Sequence, residues 1–524
     1  MGTVALVRVG LLGGQGLSPQ SSAVRPYGTY HDLRWLLVYH DSWLVFTLGL
    51  VGAILLRGVI SAVLMGLAWP AEVSPLSAAS LLRRNIGVTA FSAVIIAPFA
   101  ALAVAASVVS LSWFIFASLI PMFLLAPFLQ RLAVTAKGWH GLPPAELVGW
   151  SLLDFVVITV AGAVVWTAPE WWSLPVAAIV GAANGLLWNR TVRAAALPAH
   201  VRWPRLPVVP IVVVLALAIP IGAQALISTG YEARHTYNPP ILTQPLPATV
   251  PYAVIVLAGH DSAYDGRASG DPSVERFSYA GLGPDRRPLP YRQVATHQSL
   301  EASAARLAAQ VDAVHLRTGR PIALVGESEG AMVARTYLRN RPASPVRVLM
   351  MISPLVRTGR TYYPPPEAST GWGLAAGWLL RGIFTVTDLV GNTGLTPDEP
   401  FLRSLLDDGP YYRFNTMCPI PGVRVIAFLP TVSAAEAPPG QYTQIPTVEV
   451  PSFHGGFLGR PVVRDQLVDF LAGEDFNLPR AEYPVLQRLG AAWQAPTLSV
   501  TLNPVWRDQV SPGPAFTAAR LCRG

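Results

Sequence analysis

Lysine is almost absent from this chain. Lys137 is the single lysine among 38 basic residues in 524 positions, so arginine carries nearly all of the positive charge. Charged residues of both signs make up only 13% of the sequence. A soluble chain would carry about a quarter, so this composition excludes a charged, water-facing surface along the whole length. The net charge of +8 is spread thinly, with no arginine-rich tract interleaved with aromatics, which argues against nucleic-acid binding. Cysteine is scarce as well. Cys418 and Cys522 make neither a disulfide framework nor a metal site, and leave open one bridge or two free thiols. No ligand cluster is visible, so neither a metal nor a cofactor is implied. The N-terminal segment does not read as a signal peptide: the apolar run after Arg8 is short and is broken by Gly13, Gly14 and Gly16. Residues 1–42 read as a weakly ordered tail.

What is present in excess is apolar. Hydrophobic residues are 52% of the chain and the mean hydropathy is +0.42. The long apolar runs fall at 43–69, 87–128, 147–166, 171–188 and 208–228. The second run is about twice the length that one span needs, so a tight turn near Ser110 divides it. The expectation is a helical bundle of six spans over residues 43–228. Tryptophans such as Trp43, Trp69, Trp150, Trp166 and Trp188 stand near predicted span ends, as interfacial belts do. The loops after spans one, three and five carry Arg83, Arg84, Arg131, Lys137, Arg190, Arg193, Arg202 and Arg205, whereas those after spans two and four carry no basic residue. The positive-inside rule then puts the arginine loops in the cytoplasm and the C-terminal half outside an otherwise conventional cell membrane. Arg8, Arg25 and Arg34 in the tail count mildly against this. Within the bundle, Arg57 and Asp154 lie at similar depth and are expected to pair.

Residues 229–250 are a proline-rich linker in which a helix cannot continue. Beyond it the pattern changes to short β-branched runs alternating with helical stretches, which argues a mostly parallel sheet with helices on both faces. The expected strands are 253–257, 276–280, 322–326, 346–352, 423–428 and 447–450. The expected helices are 298–315, 329–339 and 462–471. This α/β domain spans 251–475, with an insertion at 356–418 and an extension at 476–524.

The chemistry concentrates at Gly326-Glu327-Ser328-Glu329-Gly330. An apolar strand, 322–326, runs into it and a helix opens at Glu329, so the serine stands on a tight strand-to-helix turn with its hydroxyl above the sheet. The opening helix aims backbone N–H groups at the same place. A hydroxyl becomes a competent nucleophile when an imidazole takes its proton. His454, on a glycine-flanked loop after the last strand, is the candidate. His260, His297 and His315 are rivals, but all precede the serine. In the loop after strand 423–428, Glu436 is the only carboxylate and is the candidate acid. Asp407 and Asp408 are second choices.

These segments together resemble the α/β-hydrolase family, especially its lipase- and esterase-like members. "VIVLAGHDS" resembles the strand and turn that supply an oxyanion donor, "GESEG" the nucleophile elbow, and "VEVPSFHGGFLGRPVVRDQLVDFL" the last strand, histidine loop and closing helix. The order serine, acid, histidine is that family's. The resemblance implies a Ser328–His454–Glu436 triad. It also implies an oxyanion hole from the backbone N–H of Glu329 plus that of His260 or Asp261. The family's acid is more often an aspartate standing slightly earlier in the loop. The apolar insertion, with Trp372, Trp378, Leu379, Leu380 and Phe384, is either a cap over the site or a helix packed on the core or the membrane. The implied activity is hydrolysis of a carboxylic ester or thioester with an apolar acyl group, beside the lipid bilayer. A different class of reading is a transporter or channel whose hydrolase-like domain only regulates, or a degenerate domain that only binds.

Overall fold

The computed structural model describes residues 19–20, 25–109, 119–167, 169–196, 208–216, 218, 240–391, 396–430, 444–450, 454, 458–474, 489, 493, 495–507, 509 and 522. Helix α1 covers Tyr27–Val38, α2 Trp43–Leu67, α3 Ala78–Val109, α4 Ile120–Val134, α5 Ala145–Thr167 and α6 Glu170–Ala196. Among the described residues, four stretches are long and apolar enough to cross a membrane: Trp43–Leu67, Ala78–Ala105, Ala145–Val165 and Trp171–Ala196. Helix α4 is apolar but only 15 residues long. The expected turn near Ser110 lies outside the described residues, as does most of the expected sixth span.

Helix α2 shows why the run folds this way. Its interior holds no proline, and the Ser42 side chain caps its start by accepting from the Val45 N–H. One side, including Arg57, Gly58, Ser61 and Met65, is buried, while Leu44, Leu48, Val63 and Leu67 are exposed. An exposed apolar stripe of this kind suits lipid. At Gly58 a Cβ would come within 2.9 Å of the Ile86 Cα, so the glycine lets α2 and α3 approach closely.

Two expectations about the N-terminal half are corrected. Much of the tail is a buried helix, α1, with Tyr27, Tyr30 and Leu37 fully covered. Arg57 pairs with Asp32 of α1 rather than with Asp154: its Nε and Nη2 donate to the two carboxylate oxygens at 2.5 and 2.7 Å. A fork matched to a carboxylate is the stronger pair. Asp154 instead accepts from Asn184 at 2.7 Å.

The arginine-bearing ends cluster. Arg84 donates to the carbonyls of Leu132 and Val134, and Arg193 pairs with Glu72. The other end of α2 meets the C-terminal half, roughly 38 Å away by helical rise. There Gly371 and Gly373 donate to the carbonyls of Asp41 and His40, and His40 Nε2 accepts from the Ala375 N–H at 2.8 Å.

In that half, β1 Ala253–Leu257, β2 Val274–Arg276, β3 Ile322–Glu327, β4 Val346–Ile352, β5 Arg424–Pro430 and β6 Thr447–Val450 form one sheet. The order is β2-β1-β3-β4-β5-β6 and every pairing is parallel. Parallel strands are buried on both faces, which is why they read as continuous apolar runs. Ile255, Leu324 and Met351 face α7 Leu300–Thr318 and α8 Glu329–Asn340, while Val256, Val325 and Met350 face α12 Pro461–Ala472. The expected strand 276–280 lies earlier, at 274–276. After Arg276, the Ser278 N–H goes to the Gln310 side chain and the chain turns at Gly281, where φ is +91°.

The insertion contains α9 Leu374–Gly391, α10 Pro400–Asp407 and α11 Gly409–Asn415. Its apolar residues Tyr363, Ala376 and Leu380 share a core with α1, α3 and α4, and Trp493 of the extension stacks on Phe155 at 4.8 Å. Helix α9 is therefore packed on the helical bundle. Cys418 and Cys522 are joined as a disulfide.

Candidate active site

The sheet reverses direction of growth at β1, since β2 lies on one side and β3 on the other. In open α/β sheets, ligands bind outside the C-terminal ends of the strands at such a point. The loop after β1 and the turn after β3 meet here.

That turn is Ser328, between β3 and α8. Its φ is +52° and ψ −112°, a region that costs a non-glycine residue about 1–3 kcal/mol. Its N–H is held by the Ile352 carbonyl at 2.8 Å. The flanking glycines have a steric reason. A Cβ on Gly330 would lie 2.5 Å from the Leu257 carbonyl oxygen, and one on Gly326 would lie 2.6 Å from the Ala331 nitrogen. The strand–turn–helix unit closes only without those side chains.

Ser328 Oγ lies 3.0 Å from His454 Nε2, across 126 residues of sequence. The two side chains singled out as nucleophile and base are within hydrogen-bond reach. The protein around His454 strips water from its ring, and burial alone pushes its pKa down to about 4. The ring is thus neutral near pH 7, as a proton acceptor must be.

Glu436 lies outside the described residues. The second choices for the acid are engaged elsewhere: Asp407 with Arg403 at 3.0 Å and Asp408 with Arg339 at 3.2 Å.

Gly259 borders the site, with its Cβ position 3.2 Å from Ser328 Cβ. The Asp261 N–H donates to Thr296 Oγ1 at 3.0 Å, which leaves His260 as the loop's candidate oxyanion donor in this conformation. Glu329 opens α8, where first-turn N–H groups have no intrahelical partner.

The side chains of His260, Asp261 and Glu329 do something that sequence reasoning missed. They join His297 and Glu399 in a polar cluster beneath the loop. His260 Nδ1 lies 3.1 Å from Glu329 Oε2, and its Nε2 lies 3.0 Å from Glu399 Oε1. His297 Nε2 lies 2.7 Å from Asp261 Oδ1, and its Nδ1 lies 3.4 Å from Glu399 Oε2. Burial opposes charge on His260, but Glu329 and Glu399 outweigh it and push its pKa up to about 10. Burial pushes Glu329 up to about 7 against the pull of His260. The five residues lie far apart in the chain, and Glu399 stands in the insertion, so no local motif announces them.

No protein-family model matches the sequence, and no curated protein matches it. Function has to be read from the chemistry of the residues themselves.

Proposed function

We propose that the chain is a membrane-anchored serine hydrolase with an α/β-hydrolase fold, cleaving a carboxylic ester or thioester with an apolar acyl group. The observation that carries this is the 3.0 Å approach of Ser328 Oγ to His454 Nε2 at a positive-φ strand-to-helix turn. A serine held in a strained backbone region, beside a neutral imidazole, is arranged for nucleophilic attack. His454 takes the hydroxyl proton as Ser328 attacks the acyl carbon, then returns it to the leaving oxygen or sulfur. Water, activated by the same imidazole, hydrolyses the acyl-serine. The N–H groups of Glu329 and His260 stabilise the oxyanion. Glu436 orients the His454 ring and stabilises its charged form.

The anchor consists of six spans with the hydrolase half outside the cell membrane. Two observations support that side. The C-terminal half docks at the end of α2 opposite the arginine cluster, and Cys418–Cys522 is a bridge of the kind that persists in oxidising surroundings. The apolar bundle on which this half is packed favours a lipid-derived ester as the substrate class.

The test is hydrolysis of p-nitrophenyl esters of graded chain length by membranes containing the full chain. Ser328→Ala should lower kcat by at least about three orders of magnitude with unchanged expression. Undiminished turnover in that variant would refute the reading.

A further inference from the structure

The cluster beneath the oxyanion loop has the donor set of a metal centre. One ring nitrogen each of His260 and His297 and a carboxylate oxygen of Glu399 lie within 4.8 Å of one another. Two separations in the set are 3.0 and 3.4 Å, close to the roughly 3.3 Å between neighbouring ligands around a tetrahedral zinc.

Three further features point to a cation between these atoms. The first is Glu399 itself. It is 3% exposed, yet among the described residues neither of its carboxylate oxygens accepts a hydrogen bond. His260 Nε2 is near enough to donate, but misaligned. A buried carboxylate whose two imidazole neighbours approach it without an aligned hydrogen bond is incompletely satisfied, and a metal ion between them would satisfy it. The second is the outward nitrogen of each ring. His260 Nδ1 faces Glu329, and His297 Nε2 faces Asp261. A metal-bound histidine characteristically gives its other N–H to a carboxylate, which fixes the tautomer and aims the free lone pair at the metal. Both rings have that partner. The third is packing. The rings lie 4.9 Å apart with a 29° tilt, and Phe401 stacks on His260 from the other side at 4.9 Å. The donors are therefore held before any ion arrives.

We propose that His260 Nε2, His297 Nδ1 and the Glu399 carboxylate bind one divalent transition-metal ion of the zinc type, with Glu329 and Asp261 as supporting carboxylates. Two imidazoles and a carboxylate suit zinc. The ion would tie Glu399, at the head of α10, to the loop that follows β1 and borders Ser328. It would fix the loop's geometry without entering the chemistry at the serine. This inference stands apart from the hydrolase reading, because the donor set does not depend on what Ser328 does.

The experiment uses the full chain in detergent, with any purification tag removed. The protein is stripped with a chelator, incubated with Zn²⁺, desalted and assayed for metal by mass spectrometry. Wild type and Ser328→Ala should each retain about one equivalent and gain thermal stability on adding Zn²⁺, as a ligand bound to the folded state requires. His297→Ala and Glu399→Gln should each retain less than about a tenth of an equivalent and show no Zn²⁺-dependent rise in Tm. Asp261→Asn removes a carboxylate from the outer nitrogen only, and should weaken affinity by about 10–100-fold. The proposal does not hang on the ligand variants folding. Failure of wild type alone to retain zinc or to gain Tm would overturn it, as would full retention in Glu399→Gln.

Discussion

At the scale of the residue, His454 is the most informative side chain. Burial alone holds its pKa near 4, well below an ordinary histidine. A carboxylate at Nδ1 favours the imidazolium and raises that value. The base works only when neutral, so activity falls as pH drops through its pKa, and the acid limb of kcat/KM reports it. A carboxylate at Nδ1 holds the limb higher than it would otherwise stand, so Glu436→Gln should move it to lower pH while lowering kcat by roughly two to four orders of magnitude. Asp407→Asn and Asp408→Asn should leave the limb where it is, since both carboxylates are spent on arginines. An unmoved limb in Glu436→Gln would remove that residue from the site. The meeting of Ser328 and His454 was legible in sequence because each stands at a junction that local pattern marks. His297 and Glu399 could not, because nothing in a helix-start glutamate or a 3₁₀-turn histidine shows which distant side chain it will face.

At the scale of the element, strands and glycines carry most of what was legible. Runs such as 253–257 and 346–352 match the observed strands because parallel strands are apolar on both faces. The expected strand 276–280 differs from the observed one because Tyr279 is buried by packing beyond the end of the ladder, where sequence shows the same apolar letters. Helix α1 was missed for the opposite reason. Asp32 looks like a tail residue until Arg57 supplies its partner from another helix. The elbow gives an element-scale prediction. Gly330→Ala would drive a methyl into the Leu257 carbonyl, so β1 and α8 must part. Overpacking of this kind should cost about 1–3 kcal/mol and lower the Tm in detergent, with activity falling as Ser328 shifts. A variant of wild-type Tm and turnover would mean that the contact relaxes freely.

At the scale of the molecule, the chain looked like an anchor, a linker and a separate domain. The structure joins the halves instead. Residues of α1 and α3 share one core with Tyr363, Leu380 and Trp506, and His40 receives a backbone hydrogen bond from the insertion. Apolar letters in 371–390 cannot say whether a helix will cover a site or dock on a bundle, since either burial uses the same residues. The proposed sidedness rests on the arginine loops and on where the halves meet. Protease added to intact spheroplasts should therefore cut the chain after residue 230, whereas protection until the membrane is broken would invert the orientation. The central claim is that Ser328 is a nucleophile, and it is tested most directly by treating the membrane fraction with a fluorophosphonate probe and mapping the modified peptide. A covalent adduct on Ser328 is expected, abolished in Ser328→Ala and strongly slowed in His454→Ala. Labelling of any other residue, or undiminished labelling without His454, would contradict it.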